Sequence, residues 1–135
     1  MLSGVETLSH LVHSSYSRSV AIVDDEALVR DALLDLLDEA GFLACAFASG
    51  EDFLASGCQY ECSCLITDFR MPGMSGLDLQ ARLNAERLPV SIIFITAHGD
   101  ECMRIQALRG GAVEFLAKPF DDEVLLKTVR AALER

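Results

Sequence analysis

The sequence has no tryptophan, three prolines and only 11 basic side chains among 135 residues. Against 21 acidic side chains the formal charge is −10. A nucleic-acid surface needs clustered Lys and Arg opposite phosphates, and no basic cluster occurs, so direct nucleic-acid binding by this chain is not expected. Long apolar runs are also missing. A stretch such as Ile92 to Ile95 is far below the roughly 18 residues that would suggest a membrane span. Residues 1–17 place Leu2, Val5, Leu8 and Leu11 at helical spacing but lack the basic start and continuous apolar core of a signal peptide. They read as an N-terminal extension before a domain spanning residues 18–135, in a chain expected to be cytoplasmic. The phosphate-binding patterns Gly-x-Gly-x-x-Gly and the P-loop are absent, which leaves nucleotide folds of those kinds without support. No Cys-x-x-Cys pair is present. The odd set Cys45, Cys58, Cys62, Cys64 and Cys102 signals neither a disulfide framework nor a zinc knuckle. Cys45 and Cys64 read as small core residues. The close group Cys58, Cys62 and Cys64 has no histidine nearby, and a core role is preferred over a metal site.

What is present suits a single well-packed domain, with 51% hydrophobic and 24% charged residues. Ser19 to Val23 is a short β-branched run that stops at Asp24-Asp25-Glu26 and reads as a buried strand. Leu28, Val29, Ala32, Leu33, Leu36, Leu37 and Ala40 follow at the spacing of one helix face, ended by Gly41. Phe42 to Phe47 is a second strand, Ser49 caps a short helix ended by Gly57, and Cys64 to Thr67 is a third strand halted at Asp68. The turn-rich segment Met71-Pro72-Gly73-Met74-Ser75-Gly76 leads into a helix through Leu77, Leu79 and Leu83. Val90 to Ile95 is a fourth strand, Asp100 to Arg109 a helix closed by Gly110-Gly111, and Val113 to Leu116 a fifth strand stopped by Lys118-Pro119. Asp121 caps a last helix whose apolar face comprises Val124, Leu125, Thr128, Val129 and Ala132. Five strands alternating with five helices predict an α/β fold, a doubly wound parallel sheet covered on both faces.

In an open parallel sheet the ligand crevice lies outside the carboxyl ends of the strands. Polar residues recur there: Asp24 and Asp25 after the first strand, Asp68 after the third, Thr96 after the fourth and Lys118 after the fifth. Each alone has an ordinary explanation in caps, turns or loops; their conjunction carries the weight. Crowded carboxylates repel one another unless a cation is present. An all-oxygen donor set suits a hard divalent ion, Mg²⁺. Lys118 adds a positive charge and Thr96 a hydroxyl where a phosphoryl group would sit.

Asp24-Asp25, Asp68 followed by Met71-Pro72-Gly73-Met74-Ser75-Gly76, Ile95-Thr96-Ala97 and Lys118-Pro119-Phe120 resemble the signature of two-component response-regulator receiver domains. The stretch Ile95 to Asp100, with Arg70-Met71-Pro72, further resembles receivers of FixJ-type (LuxR-class) transcriptional regulators. The resemblance implies a flavodoxin-like sheet of strand order 2-1-3-4-5, with Asp68 as the phosphoacceptor for a partner histidine kinase. It implies Mg²⁺ ligation by Asp25, Asp68 and the Arg70 carbonyl, with Asp24 acting through water. Thr96 and Lys118 would bind phosphoryl oxygens, Ala97 would leave the phosphate accessible, Thr96 and Phe115 would form the switch, and Pro119 would follow a cis bond.

Such a domain is a phosphoacceptor and not an enzyme in the ordinary sense. A phosphohydrolase of the haloacid-dehalogenase type would carry a second Asp two residues after the nucleophile, where Arg70 stands. His98 reads as a rim residue without a carboxylate partner. Switching is expected to alter the fourth helix, fifth strand and fifth helix and to promote a homodimer, with Met103, Ile105 and Val113 as apolar contributors. The alternative is a stand-alone receiver serving as a binding module or phosphate sink. The last helix ends with the chain at Arg135, so no output domain is expected within it.

Overall fold

The computed structural model describes residues 19–134; the proposed extension, residues 1–17, lies outside them. Five parallel strands run in the order β2-β1-β3-β4-β5: β1 Val20–Val23, β2 Ala44–Phe47, β3 Cys64–Asp68, β4 Ser91–Thr96 and β5 Glu114–Ala117. Five helices alternate with them among the described residues: α1 Ala27–Glu39, α2 Gly50–Ser56, α3 Gly76–Ala85, α4 Glu101–Arg109 and α5 Asp122–Leu133. A short 3₁₀ turn, Cys58–Tyr60, precedes β3. This is the expected doubly wound, flavodoxin-like fold and strand order.

The central strands β1 and β3 are wholly buried, which is why they read as continuous apolar runs. The register aligns Val20 with both Ala44 and Cys64, Cys64 with Ser91, and Ile93 with Glu114. All carboxyl ends therefore finish at one edge of the sheet. Alternation along the strands supplies two cores. Ala21, Val23, Leu65, Ile92 and Phe94 face a layer containing Phe53, Leu79, Leu83 and Met103 from α2, α3 and α4. Val20, Ile22, Ile66, Ile93 and Ile95 face Leu33, Leu37, Leu125 and Val129 from α1 and α5.

Local chemistry fixes the helix starts. The side chains of Ser49, Asp100 and Asp121 each accept from backbone N–H groups in the first turn, and Ser75 forms a reciprocal capping box with Asp78. Gly76 is required by close approach: a Cβ there would overlap the Asp68 carbonyl oxygen.

Several expected core positions lie elsewhere. Leu28 is 84% exposed and Ala32 is also exposed: both lie on the outer side of α1, whose inner side packs Val29, Leu33, Leu36 and Leu37 against the sheet. Val124 is exposed on α5, and its core place is taken by Leu126. The second strand starts at Ala44, leaving Leu43 exposed. Cys45, expected in the core, is exposed because β2 is an edge strand. Cys64 is buried against α1 and α5, whereas Cys58 and Cys62 are buried on the other face, so these three thiols do not converge. Met103 is a core residue and Val113 is half-buried; of the three proposed dimer contributors, only Ile105 is exposed.

Candidate functional site

Asp24 follows the last residue of β1, and Asp68 ends the adjacent β3, where Val23 pairs with Thr67. The two carboxylates are thereby neighbours at the sheet edge. Carboxylate oxygens of Asp24, Asp25 and Asp68 lie within 4.8 Å of one another. Asp24 is fully buried and Asp68 nearly so, while Asp25 is exposed. Lys118 reaches in from the end of β5, its backbone N–H donating to the Thr96 carbonyl at 2.8 Å. Its ammonium Nζ donates to Asp24 Oδ2 and Asp68 Oδ2, each at 3.0 Å, and to Glu26 Oε1 at 3.1 Å. The Lys118–Pro119 peptide bond is cis.

The remaining donors hold the cluster in shape. The Glu26 N–H donates to Asp24 Oδ1 at 2.8 Å, the Arg70 N–H donates to Asp68 Oδ1 at 3.2 Å, and the Arg30 guanidinium donates to the Asp24 carbonyl at 2.7 Å. Burial pushes the Asp24 carboxyl above the usual range, opposed by the Glu26 N–H and the Lys118 ammonium. Lys118 would be pulled down by burial, but its bonds to Asp68, Asp24 and Glu26 outweigh this and raise it. Three carboxylates, those of Asp24, Glu26 and Asp68, share one ammonium, and Asp25 adjoins them, which leaves an excess of negative charge. The donor set is entirely oxygen and partly open to solvent through Asp25, which fits a hard cation such as Mg²⁺ and not a soft one.

Thr96, at the end of β4, is 2% exposed, whereas Ala97, His98 and Gly99 are exposed. The half-buried Phe115 ring lies with its centroid 5.7 Å from that of Phe69, edge to face. A Cβ placed on Gly99 would lie 2.8 Å from both the Thr96 methyl and the Phe115 ring. Thr96, Gly99 and Phe115 thus form one contact group. The Arg70 guanidinium reaches α4, with Nη2 3.6 Å from Met103 Sδ. A cavity of about 580 Å³ lined by Phe42, Leu43, Arg130 and Leu133 lies away from the strand carboxyl ends, before β2 and at the end of α5. It shares no residue with the acidic cluster.

Sequence reasoning missed Glu26, Arg30 and Gly99. Glu26 adjoins the acidic pair, a local signal that was available; the contact made by Gly99 depends on β5 and has no local signal.

The family profile of the response regulator receiver domain matches residues 20–130. The chain belongs to that family. Nodulation protein W of Bradyrhizobium diazoefficiens is 45% identical over 116 residues, covering 86% of this chain and 51% of that protein. Transcriptional regulatory protein FixJ of Azorhizobium caulinodans is 40% identical, covering 88% of this chain and 56% of that protein. The receiver thus spans about half the length of these curated relatives. The crystal structure of FixJ-N superposes with a TM-score of 0.79 at 40% identity, covering 87% of this chain and 94% of that one. Among the described residues of this receiver no helix is long and apolar enough to cross a membrane.

Proposed function

We propose that residues 18–135 form a receiver that takes a phosphoryl group on Asp68 from a phosphohistidine of a sensor histidine kinase. The observation that carries this reading is the convergence of Asp24, Asp25 and Asp68 on one sheet edge, with Lys118 Nζ 3.0 Å from Asp68.

In the transfer, a bond forms between an Asp68 carboxylate oxygen and phosphorus, the donor's nitrogen–phosphorus bond breaks, and the imidazole leaves. A carboxylate is already a nucleophile, so this chain has to position and neutralise charge without a general base. Asp25, Asp68 and the Arg70 carbonyl would hold Mg²⁺, with Asp24 contributing through water. The ion, when bound, neutralises charge on the phosphoryl oxygens. Lys118 and Thr96 bind those oxygens after transfer, and Ala97 leaves them accessible.

Thr96 and Phe115 then act as the switch through their shared contact at Gly99. A phosphoryl group favours the Thr96 position that hydrogen-bonds it, and the equilibrium moves by that difference in affinity. The altered surface of α4, β5 and α5 associates with a second copy. Control of transcription is carried over from the regulator FixJ, of which the chain matches about half.

Intact mass after incubation with acetyl phosphate and Mg²⁺ tests the core of the reading. The expected result is gain of one phosphoryl group in the wild type, and none in Asp68→Asn or with EDTA. A stable phosphoryl adduct on Asp68→Asn overturns it.

A further inference from the structure

A second reactive group lies away from the acidic cluster, at the β2 edge of the sheet. Cys45 Sγ and Cys58 Sγ are 3.3 Å apart, in contact but not bonded. Cys45 is exposed on the edge strand, whereas Cys58 is buried in the 3₁₀ turn behind it, and the buried Cys62 follows closely, its backbone N–H donating to the Cys58 carbonyl at 2.9 Å. A part-buried thiol on an exposed residue, in contact with a second thiol behind it, has the arrangement of an oxidant-accepting and a resolving cysteine. Cys64 faces the opposite side of the sheet and takes no part. Cys102 is exposed in α4.

We infer that Cys45 and Cys58 are a peroxide-oxidisable pair that closes to an intramolecular disulfide. In the first step the Cys45 thiol attacks hydrogen peroxide: a sulfur–oxygen bond forms, the oxygen–oxygen bond breaks, and one water leaves with Cys45 as sulfenic acid. The Cys58 sulfur then attacks Cys45 sulfur and expels the sulfenic oxygen as a second water. Two thiols lose two electrons and two protons in total, and one peroxide is reduced to two waters. Reduction by a small dithiol reverses the change.

Both thiols resist ionisation. Its contact with Cys58, then burial, holds the Cys45 thiol far above its usual range. At Cys58 the bond from Cys45 pulls down, but the Cys62 thiol and burial prevail, and the thiol is pushed up to about 12. The thiolate is the attacking form, so oxidation is slow at neutral pH and needs excess peroxide.

Closure has a route to the rest of the molecule. The disulfide would span a separation of 13 residues that contains all of α2. From α2, Glu51 Oε2 accepts the Met74 N–H at 3.2 Å, in the loop that follows Asp68 and leads into α3. Oxidation therefore fixes the segment that braces this loop. The inference stands on the thiol geometry alone and does not depend on phosphorylation.

The test treats the purified chain with excess hydrogen peroxide, blocks free thiols with iodoacetamide, and cleaves it without reductant using a glutamate-specific protease. Cutting after Glu39, Glu51 and Glu61 places Cys45, Cys58 and Cys62 on separate peptides. The expected product is a Cys45–Cys58 linked peptide, two hydrogens lighter than the sum of its halves and released by dithiothreitol. Cys102→Ser should retain it, and Cys45→Ser, an exposed and conservative change, should lose it. A dominant link from Cys58 to the peptide holding Cys62 would overturn the inference. So would Cys45 driven to sulfinic acid with Cys58 still free.

Discussion

The two faces of this sheet are built from different side chains. The face covered by α1 and α5 is almost entirely aliphatic, with Ile22, Ile66, Ile93 and Ile95 against Leu33, Leu37 and Leu125. The face covered by α2, α3 and α4 holds Phe53, Phe69, Phe94, Met71 and Met103, with Phe115 packed at its margin. Branched aliphatic chains fill space in few rotamers, whereas Met and ring pairs adjust to their neighbours. Thr96 and Phe115 meet at Gly99, beside the adaptable face. Under the proposed switch, the aliphatic face holds the ladder and the aromatic face carries change from the acidic cluster to α4 and β5.

The largest effect should come from breaking the rigid side. Ile93 is fully buried, and Ile93→Ala should lower stability by about 2–5 kcal/mol through lost burial plus a cavity. Urea denaturation measures this, while phosphoryl uptake by the remaining folded protein should persist. Gly76→Ala comes next, because a Cβ would overlap the Asp68 carbonyl and crowd Phe94 and Phe69. Forcing them apart should cost roughly 1–3 kcal/mol, and slower phosphorylation of Asp68 should accompany the loss, unlike Ile93→Ala.

Asp24→Asn should have the opposite sign. The buried carboxyl of Asp24 is raised above its ordinary value of 3.8, so the folded state holds this proton after the unfolded state has released it. The resulting penalty is absent below the unfolded value and grows as pH rises from there through the folded value. Without metal, Asp24→Asn should be more stable than wild type at neutral pH by about 1 kcal/mol, and the advantage should shrink on acidification. Urea denaturation across pH checks the sign, and Mg²⁺ titration should show weaker binding by the variant. The smallest change in stability is expected from Gly99→Ala, about 1 kcal/mol at the low end for overpacking, because the exposed loop can yield although the Thr96 methyl and the Phe115 ring must both shift. Its signature is an altered Phe115 ring environment by NMR with the aliphatic face unchanged.

How much of this could be read from the sequence follows from how local each cause is. β1, β3 and β4 are legible because burial on both faces leaves short, mostly apolar runs rich in Val and Ile. The candidate cluster was legible because a parallel sheet brings every strand's carboxyl end to one edge, whatever the loop lengths. Leu28 and Val124 are misplaced because helical periodicity marks an apolar stripe without marking its margins, and both lie outside the side that packs. Cys45 was misplaced because its exposure depends on β2 lying at an edge. The tie between Glu26 and Lys118 joins positions 92 residues apart, and only the fold makes it visible.

The division between the faces is tested most directly by amide NMR of the protein with and without beryllofluoride and Mg²⁺, the fluoride complex standing in for the aspartyl phosphate. The account predicts large shifts at Thr96, Gly99 and Phe115 and along α4 around Met103, with small shifts at Leu33, Leu37 and Val129. Shifts confined to residues touching Asp68, or spread equally over α1 and α5, would contradict it.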